Sequence, residues 1–473
     1  MALPTGLPPP ASPTRHSLRR ASYALFHDSE EIKPVINQAR AVIALRRVLV
    51  VIGLAGALVA CGEGDRNTLS VALFQAPSSD ALIELIPEFE EETGVKVEYD
   101  VLPYADLKTK VEQQFYARSG TYDVVMADCI WIPSFAERGY LQEVDETAWL
   151  PGEYDFEDLL PALDDYLGHY PKGGTRYGMP FMSNTHMMTY RPTMIQAVVD
   201  KLGLDLPGET PESTWTWDQY LQVAQAVQED LSAAGVDAYG SSLQARAGAW
   251  LIYEWYSVLF GFVTDDEARA TGLPAFDAPA AAAMAYYAQL YDDAAPKGAL
   301  TWGHEEETAA MCSGRTAMDA TSNVELAANL LAEECQTAGP LAFAYPPIGA
   351  SGKASPDMGG YGLLLSADSD MPDQASAFVL WAASKDVHAR VVAGGGSPVR
   401  KSEVRNPDVL EQFPYLAMYE QLIEDSIYRA RVAFWPELQD VLSRELTAVM
   451  KGDKAAAAAT AEVRAWLESR AAN

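Results

Sequence analysis

The sequence predicts an α/β protein of two lobes, each a sheet flanked by helices. Three observations lead there. About 410 residues follow Cys61, too many for one small core. From Leu69 to Ala127, short apolar runs alternate with amphipathic segments of crossover length. A short strand at Thr189–Arg191 then separates this region from a second series of helices and strands.

Leu69–Phe74 is a short apolar run and predicts the first strand. Ser78–Glu92 predicts a helix, with Leu82, Ile83, Ile86 and Phe89 at helical spacing. Pro87 inside it predicts a kink or break, because proline removes an N–H and crowds the preceding turn. Gly94 ends the helix, and Val95–Val101 alternates as a half-buried strand. Tyr104–Arg118 predicts a helix with Tyr104, Leu107, Val111 and Phe115 on one face, and Tyr122–Ala127 a third, nearly all-apolar strand. Crossovers of this length imply parallel pairing under a cover of helices, with ligands bound beyond the strands' carboxyl ends. Gln75 and the segment from Asp128 to Trp131 occupy those positions.

Past the crossing, Trp215–Val227, Ala247–Phe260, Ala278–Ala294 and Glu305–Ser313 read as helices, and Arg315–Asp319 as a strand. Val324–Glu334 predicts another helix, Gly359–Leu365 a strand and Asp373–Ser384 a helix. The tail is helical, with Leu438, Leu442, Leu446 and Val449 sharing a face before Gly452, and a last helix at Ala455–Arg470.

Ahead of these elements, Arg46-Arg47 precedes a 13-residue apolar run, Val48–Ala60, ending at Cys61. A cationic start, a short apolar middle and small residues before the boundary make a secretory signal, too short for the roughly 20 residues of a membrane span. Leu58-Val59-Ala60-Cys61 resembles the bacterial lipobox, whose cysteine is lipidated and becomes the mature N-terminus. Residues 46–60 are therefore expected to be a lipoprotein signal. Residues 1–45, rich in proline and without periodicity, are expected to be a leader foreign to the native protein, with translation starting downstream near Val42. The protein would then be extracytoplasmic and lipid-anchored, on the periplasmic side or the outer face of a Gram-positive-type membrane.

From Cys61 onward there are 27 Lys and Arg against 63 Asp and Glu, a net charge of −36. Such a surface repels nucleic acid and anionic lipid, so membrane contact is expected through the anchor only. No cofactor is expected, and no metal, because the segment has no CxxC and only four histidines, His169, His186, His304 and His388. Ser397 lies in Gly396-Ser397-Pro398 without a G-x-S-x-G elbow, no HExxH is present, and carboxylate pairs carry no weight among so many acids. A lipid-anchored hydrolase is thus disfavoured, and the protein is expected not to be an enzyme. Cys312 and Cys335 are the natural disulfide pair in an oxidising compartment, leaving Cys129.

Several segments together resemble the family 1 extracellular solute-binding proteins of ABC importers, the sugar-binding type. They are Phe89-Glu90-Glu91-Glu92-Thr93-Gly94-Val95-Lys96-Val97, Tyr122-Asp123-Val124-Val125-Met126-Ala127-Asp128 and Gly139-Tyr140-Leu141. Tyr177-Gly178-Met179-Pro180-Phe181 with Tyr190-Arg191, Trp215-Thr216-Trp217-Asp218, Gly314-Arg315-Thr316-Ala317-Met318, Gly359-Gly360-Tyr361-Gly362 and Gly395-Gly396-Ser397-Pro398-Val399-Arg400 follow in order. Each motif alone is weak, but the ordered series spans the mature chain. The resemblance implies a two-lobe periplasmic-binding-protein-like fold, each lobe a parallel-type sheet flanked by helices and joined by a hinge. It places the first part of lobe 1 at 61–183, lobe 2 and the crossings at 184–310, and segments of both lobes with the C-terminal helices at 311–473. The implied protein is a monomeric binding subunit that holds a sugar, oligosaccharide or sugar alcohol between its lobes and delivers it to the permease's transmembrane subunits. A non-sugar solute such as a polyamine or glycerol phosphate is the alternative.

The same resemblance nominates ligand-binding positions. Asp128 would accept sugar hydroxyls, with helix N-capping as its competing role. Gln75, Trp131, Asn184 and Thr185, with neighbouring His186, come from the first lobe and the crossing. Glu254 and Trp255 match an acidic-aromatic pair, although Trp250, Tyr253, Tyr256 and Phe260 suggest that much of their helix is core. Trp302 is a candidate stacking platform, and Asp319 and Asn323 end a strand. Gly359, Gly360 and Tyr361 combine close backbone approach with a ring and a hydroxyl. Arg400 would bind a hydroxyl or pair with a carboxylate.

Overall fold

A computed structural model describes residues 67–145 and 155–471, which fall within one compact unit, Asp65–Asn473. The signal, Cys61 and the leader lie outside the described residues. The strands are β1 (Thr68–Phe74), β2 (Lys96–Leu102), β3 (Val124–Asp128), β4 (His169–Tyr170), β5 (Thr175–Arg176), β6 (Gly178–Asn184) and β7 (His186–Tyr190). β8 (Tyr239–Ser241), β9 (Thr316–Asn323), β10 (Ala342–Ala344), β11 (Asp357–Leu365) and β12 (Ile427–Tyr428) follow.

β1, β2 and β3 pair in parallel, as the crossover lengths require. β11 then joins β3 antiparallel, β6 joins β11 antiparallel, and β12 runs parallel to β11, giving a six-stranded sheet. The second sheet is ordered β10-β7-β9-β8. Its β7 is antiparallel to both β9 and β10, and only β8 runs parallel to β9, so this lobe is mixed rather than parallel in type. A strand entering directly from the other lobe is not bound by the crossover rule that orients β1, β2 and β3. Thr185 alone separates β6 in the first sheet from β7 in the second.

The helix Pro77–Thr93 buries Leu82, Leu85, Ile86 and Phe89 against the first sheet, each worth about 1.5–3 kcal/mol over exposure. It runs through Pro87, so the predicted interruption is limited to one lost backbone bond, outweighed by the buried face on either side. The helix Trp217–Ala233 opens with a capping box between Thr216 and Gln219 and runs six residues past Val227, where the apolar periodicity ends. The helix predicted over Val324–Glu334 is instead three short turns, at Val324–Leu326, Ala327–Leu330 and Glu333–Gln336. Local tethers break it: the Glu325 N–H is drawn to the Asn184 side chain, and Cys335 is bonded to Cys312.

Arg191, just past β7, is fully buried and donates to backbone carbonyls rather than to a carboxylate. Its Nη2 reaches Cys312 O at 2.8 Å and Cys335 O at 3.0 Å, and its Nε reaches Met311 O at 3.2 Å. The disulfide and this guanidinium together fix the end of the helix His304–Cys312, whose beginning faces the space between the sheets.

Candidate ligand-binding cleft

The carboxyl ends of β1, β3 and β6 deliver Phe74, Asp128 and Asn184 to one cleft. β11 adds Gly359, Gly360 and Tyr361, and Arg429 follows β12. The facing wall comes from Trp250 and Tyr253 on the helix Ala249–Phe262, His304 at the start of its helix, and Glu325 after β9. The space between them is about 380 Å³ counted to its open mouth. Two wider depressions, near 900 and 850 Å³, lie elsewhere on the surface and do not join both sheets' residues.

Aromatic rings form much of the wall. Phe74 stacks on Tyr361 with centroids 4.8 Å apart and planes 8° from parallel. Tyr104 of the first lobe meets Trp250 of the second at 5.4 Å, so the lobes touch across the mouth. Gly360 is required where it stands: its φ is +136°, and a Cβ there would lie 2.4 Å from the Met182 carbonyl oxygen of β6. The β6–β11 register shifts between Tyr361 and Gly362, a bulge that re-aims the chain beside the site.

The polar groups are mostly buried and unevenly satisfied. Tyr104 donates to Asp128 Oδ2 at 2.8 Å, and the Ile130 N–H donates to Oδ1 at 3.3 Å. Asn184 donates to Asn323 at 2.9 Å. Arg429 Nε lies 2.9 Å from Asp357 Oδ2, both side chains being at most 4% exposed. Its guanidinium also covers the Tyr253 ring at 4.7 Å. Burial works against that cation, but Asp357, Cys129 and Asp128 outweigh it and hold Arg429 above its ordinary value, while burial pushes the Asp357 carboxyl up against the pull of Arg429. Burial, followed by Arg246 and Arg429, pushes His304 down to about 3 and keeps it neutral. His186 is likewise depressed by burial, His304 and Arg429, and sits behind Tyr253 with Ser257 on its Nδ1. Burial, then Asp128, raises Glu325 to about 8. The Tyr253 hydroxyl and His304 Nε2 are buried without a hydrogen-bond partner among the described residues.

Of the positions nominated from sequence, Asp128, Asn184, Gly360 and Tyr361 line this cleft. Trp131 is one layer behind, packed on Tyr104 at 5.2 Å, and Asn323 is behind Asn184. Gln75 is exposed past the end of β1, where Phe74 turns inward instead. Thr185 is buried and hydrogen-bonds Ser426 at 3.0 Å, consumed by the crossing itself. Glu254 and Trp255 face the core of the second lobe, Glu254 accepting from Tyr287 at 2.9 Å. At about 100° per residue Trp255 lies opposite the side that carries Trp250 and Tyr253, and Glu254, at the edge of that side, is held in the core by the Gln244 N–H and the Tyr287 hydroxyl. Asp319 turns back onto the Thr321 N–H and Ser322 hydroxyl, at 2.9 and 2.8 Å. Trp302 is half-buried beneath Arg315 and does not reach the cleft. Arg400 is fully buried against the Ala383 and Asp155 carbonyls, near Asp158. Sequence reading missed Phe74, Tyr104, Trp250, Tyr253, His304, Glu325 and Arg429 as cleft residues. Helical phase was the one signal available, for Trp250 and Tyr253.

Residues 75–389 match the model of the bacterial extracellular solute-binding protein family. The erythritol/L-threitol-binding protein of Mycolicibacterium smegmatis is 24% identical over 466 residues, 86% of this chain and 91% of that one. A solute-binding protein of Agrobacterium radiobacter K84 in complex with ribitol superposes with a TM-score of 0.72 at 24% identity, over 84% of this chain and 97% of its own. A maltose-bound T. maritima protein gives 0.72 at 19% identity, over 85% and 99%. These are binding proteins of the two-lobe periplasmic type, and this fold is shared by the present chain. With two α/β lobes meeting over an aromatic and polar cleft, and a family match across most of both, the chain belongs to the bacterial extracellular solute-binding protein family.

Proposed function

We propose that the protein is the extracytoplasmic binding subunit of an ABC importer, tethered through lipid on Cys61, and that it takes a short sugar alcohol or a monosaccharide. The observation that carries this reading is the cleft's lining. Ring faces of Phe74, Tyr104, Trp250 and Tyr361 suit the apolar side of a polyol, while Asp128, Asn184, Glu325 and Arg429 supply directional acceptors and donors. Leaving buried groups such as the Tyr253 hydroxyl and His304 Nε2 unmade costs about 1–3 kcal/mol each, which ligand hydroxyls would recover. The Tyr104–Trp250 contact over the mouth of the cleft supports a short ligand over an oligosaccharide. The relatives that bind erythritol, L-threitol and ribitol support the same class. Lobe closure over the ligand would present the loaded form to the permease.

Thermal-shift screening of the detergent-purified chain against sugar alcohols, sugars, oligosaccharides, amino acids and polyamines tests this. A ligand at a hundredfold excess over its Kd stabilises the folded state by about 2.7 kcal/mol. Shifts with four- to six-carbon polyols are expected. A response confined to oligosaccharides overturns the size reading, and one confined to amino acids overturns the class. Lipidation is tested by mass spectrometry of the mature N-terminal peptide and by release of the Cys61→Ser variant from membranes.

A further inference from the structure

We propose that Tyr104 and Trp250 form a latch between the lobes that sets how long a bound solute stays, each ring resting on a polar group of the cleft in its own lobe. This rests on the binding-protein reading of the cleft and deepens it.

The two rings come from opposite sides of the gap. Tyr104 opens the helix Tyr104–Ala117 just past β2, and Trp250 lies in the first turn of the helix Ala249–Phe262. Both are half-buried, and their centroids are 5.4 Å apart with planes at 48°. Each is backed from its own side. Tyr104 packs on Trp131 at 5.2 Å and donates its hydroxyl to Asp128 Oδ2 at 2.8 Å. Trp250 packs on His304 at 4.0 Å, with the Arg246 guanidinium over its ring at 5.7 Å. Asp128 and His304 line the cleft themselves, so a solute that engages them steadies both halves of the latch.

Position gives the contact its leverage. The chain first crosses between the lobes at Thr185, directly after β6. Along the first sheet the strands run β6-β11-β3-β1-β2, so β6 and β2 stand four spacings apart, about 19 Å. Rotation about the crossing therefore separates the lobes most at the β2 edge, where Tyr104 meets Trp250. An aromatic pair that exists only with the lobes together favours closure by its full contribution, about two- to tenfold in the closing equilibrium. Entry into the open cleft does not use the contact, whereas exit must break it, so its effect falls on dissociation.

Stopped-flow fluorescence on the detergent-purified chain tests this, with erythritol, ribitol, mannitol and maltose as probes. With the probe that binds, Tyr104→Ala and Trp250→Ala should each speed dissociation about two- to tenfold and leave association within about twofold. The double variant should dissociate no faster than the faster single one, because the same contact is lost once. Trp250→Phe, which keeps a ring, should recover part of the loss. Slowed association with unchanged dissociation, or single effects that multiply in the double variant, overturn the latch and make the rings separate contacts to the solute. Binding of maltose and of no alditol overturns the polyol reading, and the same rates with maltose uphold the latch. Spin labels on Tyr116→Cys and Val236→Cys, exposed positions in the two lobes, give a second readout by pulsed EPR. The label-to-label distances should spread to longer values in Trp250→Ala. Distributions identical to those of the chain with Trp250 intact, with every probe and without, overturn the latch even where no probe binds.

Discussion

Replacing Asp357 by Asn should destabilise the folded protein by about 3–5 kcal/mol, the cost of leaving a buried ion-pair partner uncompensated. The structure puts the substitution at that level for three reasons. Asp357 is fully buried and Arg429 is 4% exposed, so water screens neither. The other contacts of Arg429 are weak, the Tyr253 ring at 4.7 Å and the Cys129 sulfur at 3.7 Å. Asp357 is also fixed by backbone pairing opposite Ile427, and Arg429 directly follows Tyr428, which is paired with Met358. At about 1.4 kcal/mol per decade, the unfolding constant should rise by roughly two to three and a half decades. Arg429→Met should cost less, because a stranded carboxyl neutralises itself by taking a proton and a stranded guanidinium does not. The double variant should recover part of the loss, giving a coupling of about 2 kcal/mol. Urea unfolding followed by tryptophan fluorescence, extrapolated to water for all four proteins, measures these quantities. A cost below about 1 kcal/mol for Asp357→Asn, with near-zero coupling, would show that Asp357 is already protonated and that the pair is not ionic.

Three further outcomes are expected. Burial, then Asp319, raises Glu254 to about 8, and burial, then Asp128, does the same for Glu325. Folded protein therefore holds more protons than unfolded chain between about 4.5 and 8, so stability from these groups is full at the acid end and is lost as pH rises through 8. Each unit between folded and unfolded values is worth about 1.4 kcal/mol, and Glu254→Gln or Glu325→Gln should flatten a plot of urea midpoint against pH from 5.5 to 8.5. Gly360→Ala should cost about 2 kcal/mol or more and weaken ligand binding by displacing Tyr361, since φ +136° and the Met182 carbonyl at 2.4 Å both exclude a Cβ; calorimetry with the bound ligand reads the second effect. Removing the Cys312–Cys335 bridge, 23 residues apart, as the double serine variant should lower stability by about 3 kcal/mol in urea unfolding.

Local pattern along the chain is enough to set the α/β class, the division into two lobes and the parallel β1-β2-β3 core. Each is governed by local periodicity and crossover length, which read directly as Leu82, Ile86 and Phe89 on one helix face, or as the apolar run at Val124–Ala127. It also located Asp128, Gly360 and Tyr361, because the end of a strand and a paired glycine are visible without partners. The tertiary structure alone decided the rest of the cleft. Which side of the helix Ala249–Phe262 meets the other lobe is set by packing from both lobes, and it brings Trp250 and Tyr253 to the cleft where the sequence nominates Glu254 and Trp255. Glu325 and Arg429 stand 104 positions apart and carry no local pattern; they converge because β9 and β12 end at the same gap between sheets. Arg400 looks like a ligand-seeking charge in sequence, yet backbone carbonyls brought from distant segments claim it, as others do Arg191. Periodicity records which residues avoid water, whereas charge compensation depends on neighbours that only folding brings together.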